Sequence, residues 1–337
     1  MPELRKDLVR NSWVIIVTDW ALKPADFPIN KNGDYVINDR ICPFCEGNEE
    51  YTTPEITACR LNCSEPNTPG WEIRTIPSKF SAFKLEGELQ CYCDGVFQHG
   101  MGPGQQEVII ETPVHDEEFH HHSVDKLKMI YTVMKERYTY LASDRRIKYI
   151  QIYKNRGLFA GASQEHSHSQ IIGLPIIPDN TPGITQYYQE KKRCLICDIV
   201  AGEIEKKERI VYESEHFVVL CPYASRFSYE TWILPKQHSR HFNEINTPEI
   251  ADLANLTKRF FNAMLHCLDN PSYNLLINSA PVNVEYDSEY HWYIEVTPRL
   301  MVPNGMEVVT GYHFNPAAPE VSASLLRNQI LQEEVEV

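Results

Sequence analysis

The sequence predicts an α+β protein built as two copies of one unit, each an antiparallel sheet with a single main helix. Three observations predict it. Short segments recur in the same order: Cys42-Pro-Phe-Cys45, Glu111-Thr-Pro-Val-His115 and His166-Ser-His168-Ser-Gln170 are followed by Cys194-Leu-Ile-Cys197, Leu234-Pro-Lys-Gln-His238 and His291-Trp-Tyr-Ile-Glu295. His115 to His166 spans 51 residues and His238 to His291 spans 53, so the repeat stays in register. In each half, one long helical pattern separates short apolar runs of strand character.

The elements follow in order. Trp13-Val-Ile-Ile-Val-Thr18 reads as an opening strand, followed by a Pro-rich excursion from Lys23 to Pro28. Beyond the first C-x-x-C lies a turn-rich region, and Gly100-Met-Gly-Pro-Gly104 leads into a strand over Glu107–Glu111. Ser123 is the expected N-cap of a helix from about Val124 to Ala142. Its Leu127, Ile130, Tyr131, Met134, Tyr138 and Leu141 keep the spacing of one buried face. A strand over Lys148–Tyr153, a loop from Asn155 to Ser163 and a last strand over His166–Ile172 complete the unit. The second half repeats this order. Thr231–Leu234 is a strand, and Thr247 caps a helix with Pro248 at its first position, running to about Leu268 on Ile250, Leu253, Phe260, Met264 and Leu268. Tyr273–Ile277 and His291–Val296 are the closing strands. The intervening segment is rich in Pro, Asn, Thr and Gly, which sets an N-terminal unit over 1–178, a linker over 179–189 and a C-terminal unit over 190–325.

The chain has 337 residues and a formal net charge of −14. That balance repels phosphate backbones and anionic bilayers, so neither nucleic acid nor membrane is an expected partner, while a small phosphorylated ligand needs only a few local donors. The N-terminus has no apolar signal-like core and no stretch approaches membrane-spanning length, so a cytoplasmic location is expected. There, cysteines are thiols or metal thiolates. Of the ten cysteines, Cys42/Cys45 and Cys194/Cys197 have the spacing that lets two thiolates grip one tetrahedral ion. The other six are read as free thiols.

Two thiolates and two histidines saturate zinc. Cys42, Cys45, His115 and His166 are therefore expected to form one closed structural site, and Cys194, Cys197, His238 and His291 a second. On a strand, His166, His168 and Gln170 would leave one face. With His166 held by the ion, His168 stays free beside it, and a neutral imidazole is a good nucleophile. Gln170 would donate its amide to a phosphate oxygen as charge builds there. Asn155, Ser163 and backbone N–H groups of the turn Gly157–Gly161 would do the same. In the second copy the nucleophile position holds Tyr293 and the glutamine position Glu295, so that half reads as structural or substrate-contacting, with Glu295 a general acid, a sugar contact or a rim carboxylate. The run His120-His-His122 reads as a solvated helix entrance rather than a metal tract.

These motifs resemble the galactose-1-phosphate uridylyltransferase family of the histidine-triad superfamily, over nearly the whole chain. The resemblance rests on His166-Ser-His168-Ser-Gln170, on Asn155-Arg-Gly157…Gly161-Ala-Ser163 and on Glu3-Leu-Arg-Lys-Asp7. The serines of the first motif, the second C-x-x-C and the segment Val309-Thr-Gly-Tyr-His-Phe-Asn315 look closer to a branch that includes plant ADP-glucose phosphorylase. The resemblance implies a duplicated histidine-triad-like fold of two half-barrels, a covalent nucleotidyl-His168, a phosphate-contacting Gln170, substrate contacts from Asn155, Gly161 and Ser163, and a homodimer. It also implies that the second metal site holds zinc or iron, with the two cysteines favouring zinc. Departures are visible. Where the family carries phosphate-binding arginines, this chain has Trp20 and Lys23, and the nucleotide-side segment is Pro77-Ser-Lys-Phe80-Ser-Ala82. The hexose-recognition pattern typical of the C-terminus is missing.

The expected function is therefore a ping-pong nucleotidyltransferase using nucleotide-sugar and sugar-phosphate substrates, foremost a UDP-glucose–hexose-1-phosphate uridylyltransferase. The alternatives are an ADP-glucose-type phosphorylase and a non-catalytic, zinc-stabilised nucleotide-sugar-binding protein. A zinc-ribbon nucleic-acid binder is opposed by the acidic charge.

Overall fold

The computed structural model describes residues 3–10, 12–16, 41–60, 62–79, 81, 86–87, 90–101, 103–178, 180–285 and 289–335. Lys23, Trp20 and Phe80 lie outside them. The first half runs through β1 (Glu3–Asp7), β2 (Ser12–Ile16), β3 (Thr57–Arg60), β4 (Trp71–Pro77), β5 (Gln90–Asp94), β6 (Phe97–Met101) and β7 (Gln105–Ile110). Helix α1 (Val124–Ser143) follows, then β8 (Tyr149–Arg156) and β9 (His168–Leu174). The second half contains α2 (Pro182–Lys191), α3 (Leu195–Lys206), β10 (Ile210–Glu213), β11 (Phe217–Leu220), β12 (Thr231–Pro235), α4 (Thr247–Leu268), β13 (Tyr273–Asn278) and β14 (Tyr293–Pro298). The chain closes with α5 (Gly305–Thr310), β15 (His313–Asn315) and α6 (Pro319–Val335).

The repeat seen in the sequence is a repeat of topology. Strand order is β3-β4-β7-β9-β8 in the first half and β10-β11-β12-β14-β13 in the second, with α1 between β7 and β8 along the chain and α4 between β12 and β13. The halves join edge to edge, because β8 pairs antiparallel with β13, Asn155 opposite Asn274. One ten-stranded sheet results, and β1, β2 and β15 form a separate three-stranded sheet.

Side-chain alternation divides the two faces. Ile109, Ile150, Ile152, Ile171, Leu275, Ile277, Ile294 and Val296 point to one face, under α1, α4 and α6. The helices pack side by side there, with the Tyr131 and Thr257 hydroxyls hydrogen-bonded at 2.7 Å. The opposite face carries Gln106, Val108, Ile110, His168, Gln170, Tyr153 and Asn155 in the first half. In the second half it is covered by α2 and α3, which pack Ile184, Leu195 and Val200 with Val218, Leu220, Trp232 and Tyr293.

Several boundaries differ from the sequence expectation for identifiable reasons. α1 starts as read, with Ser123 Oγ accepting from the Lys126 amide. α4 is capped one residue earlier, by Asn246, whose side chain accepts from Glu249 N while the Glu249 carboxylate accepts from Asn246 N. Asn155 belongs to β8 rather than to the loop, because β13 supplies a pairing partner. The expected linker carries α2, tied down where Gly183 N donates to the Val9 carbonyl at 2.9 Å. Among the described residues no helix is long and apolar enough to cross a membrane.

Candidate functional site

β9 begins at His168, so His166 sits in the bend before it rather than within the strand that the sequence predicts. The bend does the same work by another route. His166 Nε2–H donates to the Thr112 carbonyl at 2.7 Å, which turns Nδ1 toward Cys42 and Cys45. The His168 ring hydrogen-bonds through Nδ1 to the carbonyl of His166 at 2.8 Å. A carbonyl only accepts, so Nδ1 carries the proton and the Nε2 lone pair is left available. His168 is 5 % exposed. Burial lowers its pKa below the ordinary histidine range, partly opposed by the carbonyl. The Phe44 ring packs edge-on against it, centroids 5.4 Å apart.

The sequence-predicted ligand sets converge. The donor atoms of Cys42, Cys45, His115 and His166 lie within 4.8 Å of one another, as do those of Cys194, Cys197, His238 and His291. In the first cluster Sγ to Nδ1 distances are 3.7 Å for Cys42–His166, 3.4 Å for Cys45–His115 and 3.6 Å for Cys45–His166. In the second, Cys197 Sγ lies 3.3 Å from His238 Nδ1 and 3.4 Å from His291 Nδ1. A tetrahedral ion with ordinary zinc–sulfur and zinc–nitrogen bonds would put such atoms about 3.6 Å apart. Burial and the Cys42 sulfur push the Cys45 thiol up to about 12, so paired thiolates call for a cation between them. Both clusters therefore fit a metal ion. Cys59, Cys63, Cys221 and Cys267 are free thiols. A cleft of about 910 Å³, walled by His115, Arg156, Glu165 and His266 among others, opens beside the first cluster, and His168 is not part of its lining.

Behind β9, on the helix face, lies a polar group whose members no local pattern in the sequence connects. Glu111, fully buried, accepts from Lys154 Nζ at 2.7 Å, Ser167 Oγ at 2.7 Å and Ser169 Oγ at 2.5 Å. Lys154 Nζ also donates to Ser167 Oγ and to the carbonyl of His168 at 3.2 Å. Burial alone would raise the Glu111 carboxyl, but Lys154, then His122 and Ser169, outweigh it and hold the group below the usual carboxylate range. The strand bearing His168 is thus pinned from behind by a buried ion pair.

On the site face, Gln170 Oε1 accepts from Tyr153 Oη at 2.9 Å and Gln106 Nε2 at 3.0 Å. Its oxygen is occupied, which leaves the amide N–H groups to donate. Asn155 Oδ1 accepts from Asn274 Nδ2 at 2.7 Å, and the same amide donates to the Ala160 carbonyl at 2.9 Å. Asn274 therefore ties Asn155 to the loop that carries Gly161 and Ser163. Within that loop Gly157 has φ +81°, and a Cβ there would meet Ser272 Oγ at 2.1 Å. Gly161, at φ +77°, has open space instead, and Ser163 is exposed. Tyr153, Gln106, Asn274 and the Glu111–Lys154 pair were missed. Strand alternation flags Tyr153 and Gln106 as facing one way, but the contact across β8 and β13 has no local signal.

Two expectations need correction. Glu295 is not at the rim: it is fully buried and paired with Arg10 and Arg226, because β14 is an interior strand and those arginines reach it from other segments. His122 is not solvated: it is buried beside Glu117, Nδ1 to Oε1 3.3 Å, because the turn before α1 folds inward.

Comparison with known proteins bears on the fold and the family. The galactose-1-phosphate uridyl transferase N-terminal and C-terminal domain models match residues 75–178 and 181–316. ADP-glucose phosphorylase of Arabidopsis thaliana is 34 % identical over 97 % of this chain and 92 % of its own length. Galactose-1-phosphate uridylyltransferase of Thermotoga maritima is 27 % identical over 97 % of this chain and 98 % of its own. The crystal structure of the Arabidopsis ADP-glucose phosphorylase with bound ADP-glucose superposes with a TM-score of 0.79 at 31 % identity, covering 97 % of this chain and 99 % of that one.

Proposed function

This chain belongs to the galactose-1-phosphate uridyl transferase family of nucleotidyltransferases, and we propose that His168 is its covalent nucleophile. The observation that carries the proposal is the His168 Nδ1–H bond to the His166 carbonyl, which commits the lone pair to Nε2. Nε2 attacks the α-phosphorus of an NDP-hexose. The nitrogen–phosphorus bond forms, the bond to the bridging oxygen breaks, and hexose 1-phosphate leaves with the electron pair. The ring becomes cationic and stays bonded through Nδ1–H to the same carbonyl, which stabilises that charge. An oxygen of an incoming phosphate then attacks the same phosphorus and frees Nε2.

With hexose 1-phosphate as acceptor this is the UDP-glucose–hexose-1-phosphate uridylyltransferase reaction, supported by the family models and the Thermotoga relative. With inorganic phosphate it is an ADP-glucose-type phosphorylase, a second reading favoured by the 34 % identity to the plant enzyme. Gln170 and the Asn155–Gly161–Ser163 segment would contact substrate phosphates, with Lys23 and Phe80 completing the site. The two Cys₂His₂ clusters would each hold zinc, which supplies a structural cross-link when bound. The first would fix the bend that aims His168. Units over 1–178 and 190–325, a homodimer and a cytoplasmic location complete the proposal, the last supported by free thiols and paired thiolate sites.

The test is to incubate the protein with a panel of NDP-sugars, measure the mass added to the peptide containing His168, and discharge it with each acceptor. A nucleoside monophosphate adduct on wild type, and none on His168→Asn with zinc content unchanged, is the expected result. A variant that still labels or turns over refutes the assignment.

A further inference from the structure

The antiparallel register of β8 and β9 runs to Tyr153 opposite Gln170, and just beyond it Lys154 Nζ reaches the His168 carbonyl at 3.2 Å, so the end of β8 that carries Asn155 lies beside the start of β9 at His168. Asn155 is in turn opposite Asn274, and Asn274 opposite Thr297. Asn155, Asn274 and Thr297 thus form one row across three adjacent strands, on the face of the sheet that also carries His168 and Gln170. Arg299 follows β14 at the end of this row. Its Nε donates to Asn274 Oδ1 and its guanidinium lies over the Phe227 ring, 4.5 Å from the centroid.

Arg299 differs from the other arginines near it. Arg10 and Arg226 are paired with Glu295. Arg299 has no carboxylate within ion-pair distance among the described residues, and its terminal nitrogens donate to none of them. Burial and the neighbouring Arg226 charge lower its pKa, with Glu295 and Glu230 only partly offsetting them. A half-buried guanidinium whose fork meets no acceptor among the described residues, and whose stem is fixed by an amide and an aromatic ring, is prepared for an anion. Strands are about 4.8 Å apart, so the Asn274 backbone is about 10 Å from that of His168, within the reach of a diphosphate and its sugar.

Resting on the nucleotidyl-transfer reading above, we propose that Arg299 binds the phosphate group that leaves as sugar phosphate and re-enters as acceptor. It is a specificity-determining residue for a phosphate dianion, positioned by Asn274 and Phe227. The dianion is inorganic phosphate or a hexose 1-phosphate, and both are tested separately.

The experiment has two readouts on wild type, Arg299→Gln and Arg299→Lys. Equilibrium dialysis with radiolabelled inorganic phosphate, and separately with glucose 1-phosphate, needs no turnover. Discharge of nucleotidyl-His168 by the same two compounds gives KM and kcat for the acceptor. The expected result is a roughly ten- to hundred-fold loss of affinity and rise in acceptor KM for Arg299→Gln, a smaller change in kcat, partial recovery in Arg299→Lys, and unchanged metal content. The compound whose binding depends on Arg299 identifies the source of the phosphate. Equal binding of both compounds to wild type and Arg299→Gln overturns the proposal, as does absence of binding to wild type. Failure of wild type to form the adduct, with Arg299-dependent binding intact, overturns the covalent reading and leaves the anion site standing.

Discussion

Removing the carboxylate at Glu111 tests whether the strand bearing His168 is pinned by a buried ion pair. In Glu111→Leu the Lys154 ammonium, 2 % exposed, loses its carboxylate and keeps Ser167 Oγ, the His168 carbonyl and the Phe119 ring face, 5.2 Å away, as partners, and two serine hydroxyls lose a charged acceptor. Breaking one side of a buried pair costs about 3–5 kcal/mol, so a loss of about 4 kcal/mol is expected. Glu111→Leu/Lys154→Met removes both charges and should return to within about 2 kcal/mol of wild type. The measurement is urea unfolding of metal-loaded protein followed by tryptophan fluorescence at pH 7. The sign with pH follows from the lowered folded pKa of Glu111: its stabilisation is complete above the unfolded value of about 4.3 and fades as pH falls through the folded value. The gap between wild type and the double variant should shift against wild type below about pH 4. A single-variant loss under about 1 kcal/mol, or a double variant no better than Glu111→Leu, would refute the reasoning.

Two further expectations concern the loop and the metals. Gly157→Ala combines a left-handed backbone with a Cβ 2.1 Å from Ser272 Oγ, whereas Gly161→Ala has the backbone problem alone. The first should therefore lose about 2–3 kcal/mol and the second about 1 kcal/mol in the same unfolding assay; equal losses would remove the argument for a close approach to Ser272. Cys42→Ser/Cys45→Ser should halve the metal measured per chain by elemental analysis and abolish the His168 adduct, while Cys194→Ser/Cys197→Ser halves the metal but retains the adduct. Retention of two ions in either variant contradicts the ligand assignment.

Much of the site was legible because its chemistry is carried by residue type at fixed spacing. A C-x-x-C pair and a His-x-His motif keep their spacing wherever the chain takes them, so the two Cys₂His₂ clusters that converge in the fold, and His168 beside the first, could be picked out from the sequence. Glu295 and His122 were misplaced for the opposite reason. Their burial depends on Arg10, Arg226 and Glu117, supplied by other segments or by an inward turn that no local pattern marks. Asn155 stands beside Gly157, so local sequence places it in the loop, and only pairing with β13 extends β8 through it.

What the sequence determined by itself is the duplication, the period of each helix and strand, the two recurring sets of cysteine and histidine, and the further histidine beside the first of them. These are properties of spacing along one chain. The joining of two sheets through β8 and β13, the tautomer of His168, the Glu111–Lys154 pair behind it and the row ending at Arg299 were decided by the tertiary structure. Each depends on register between segments far apart in the chain, and register is set by how whole faces pack rather than by any residue's neighbours.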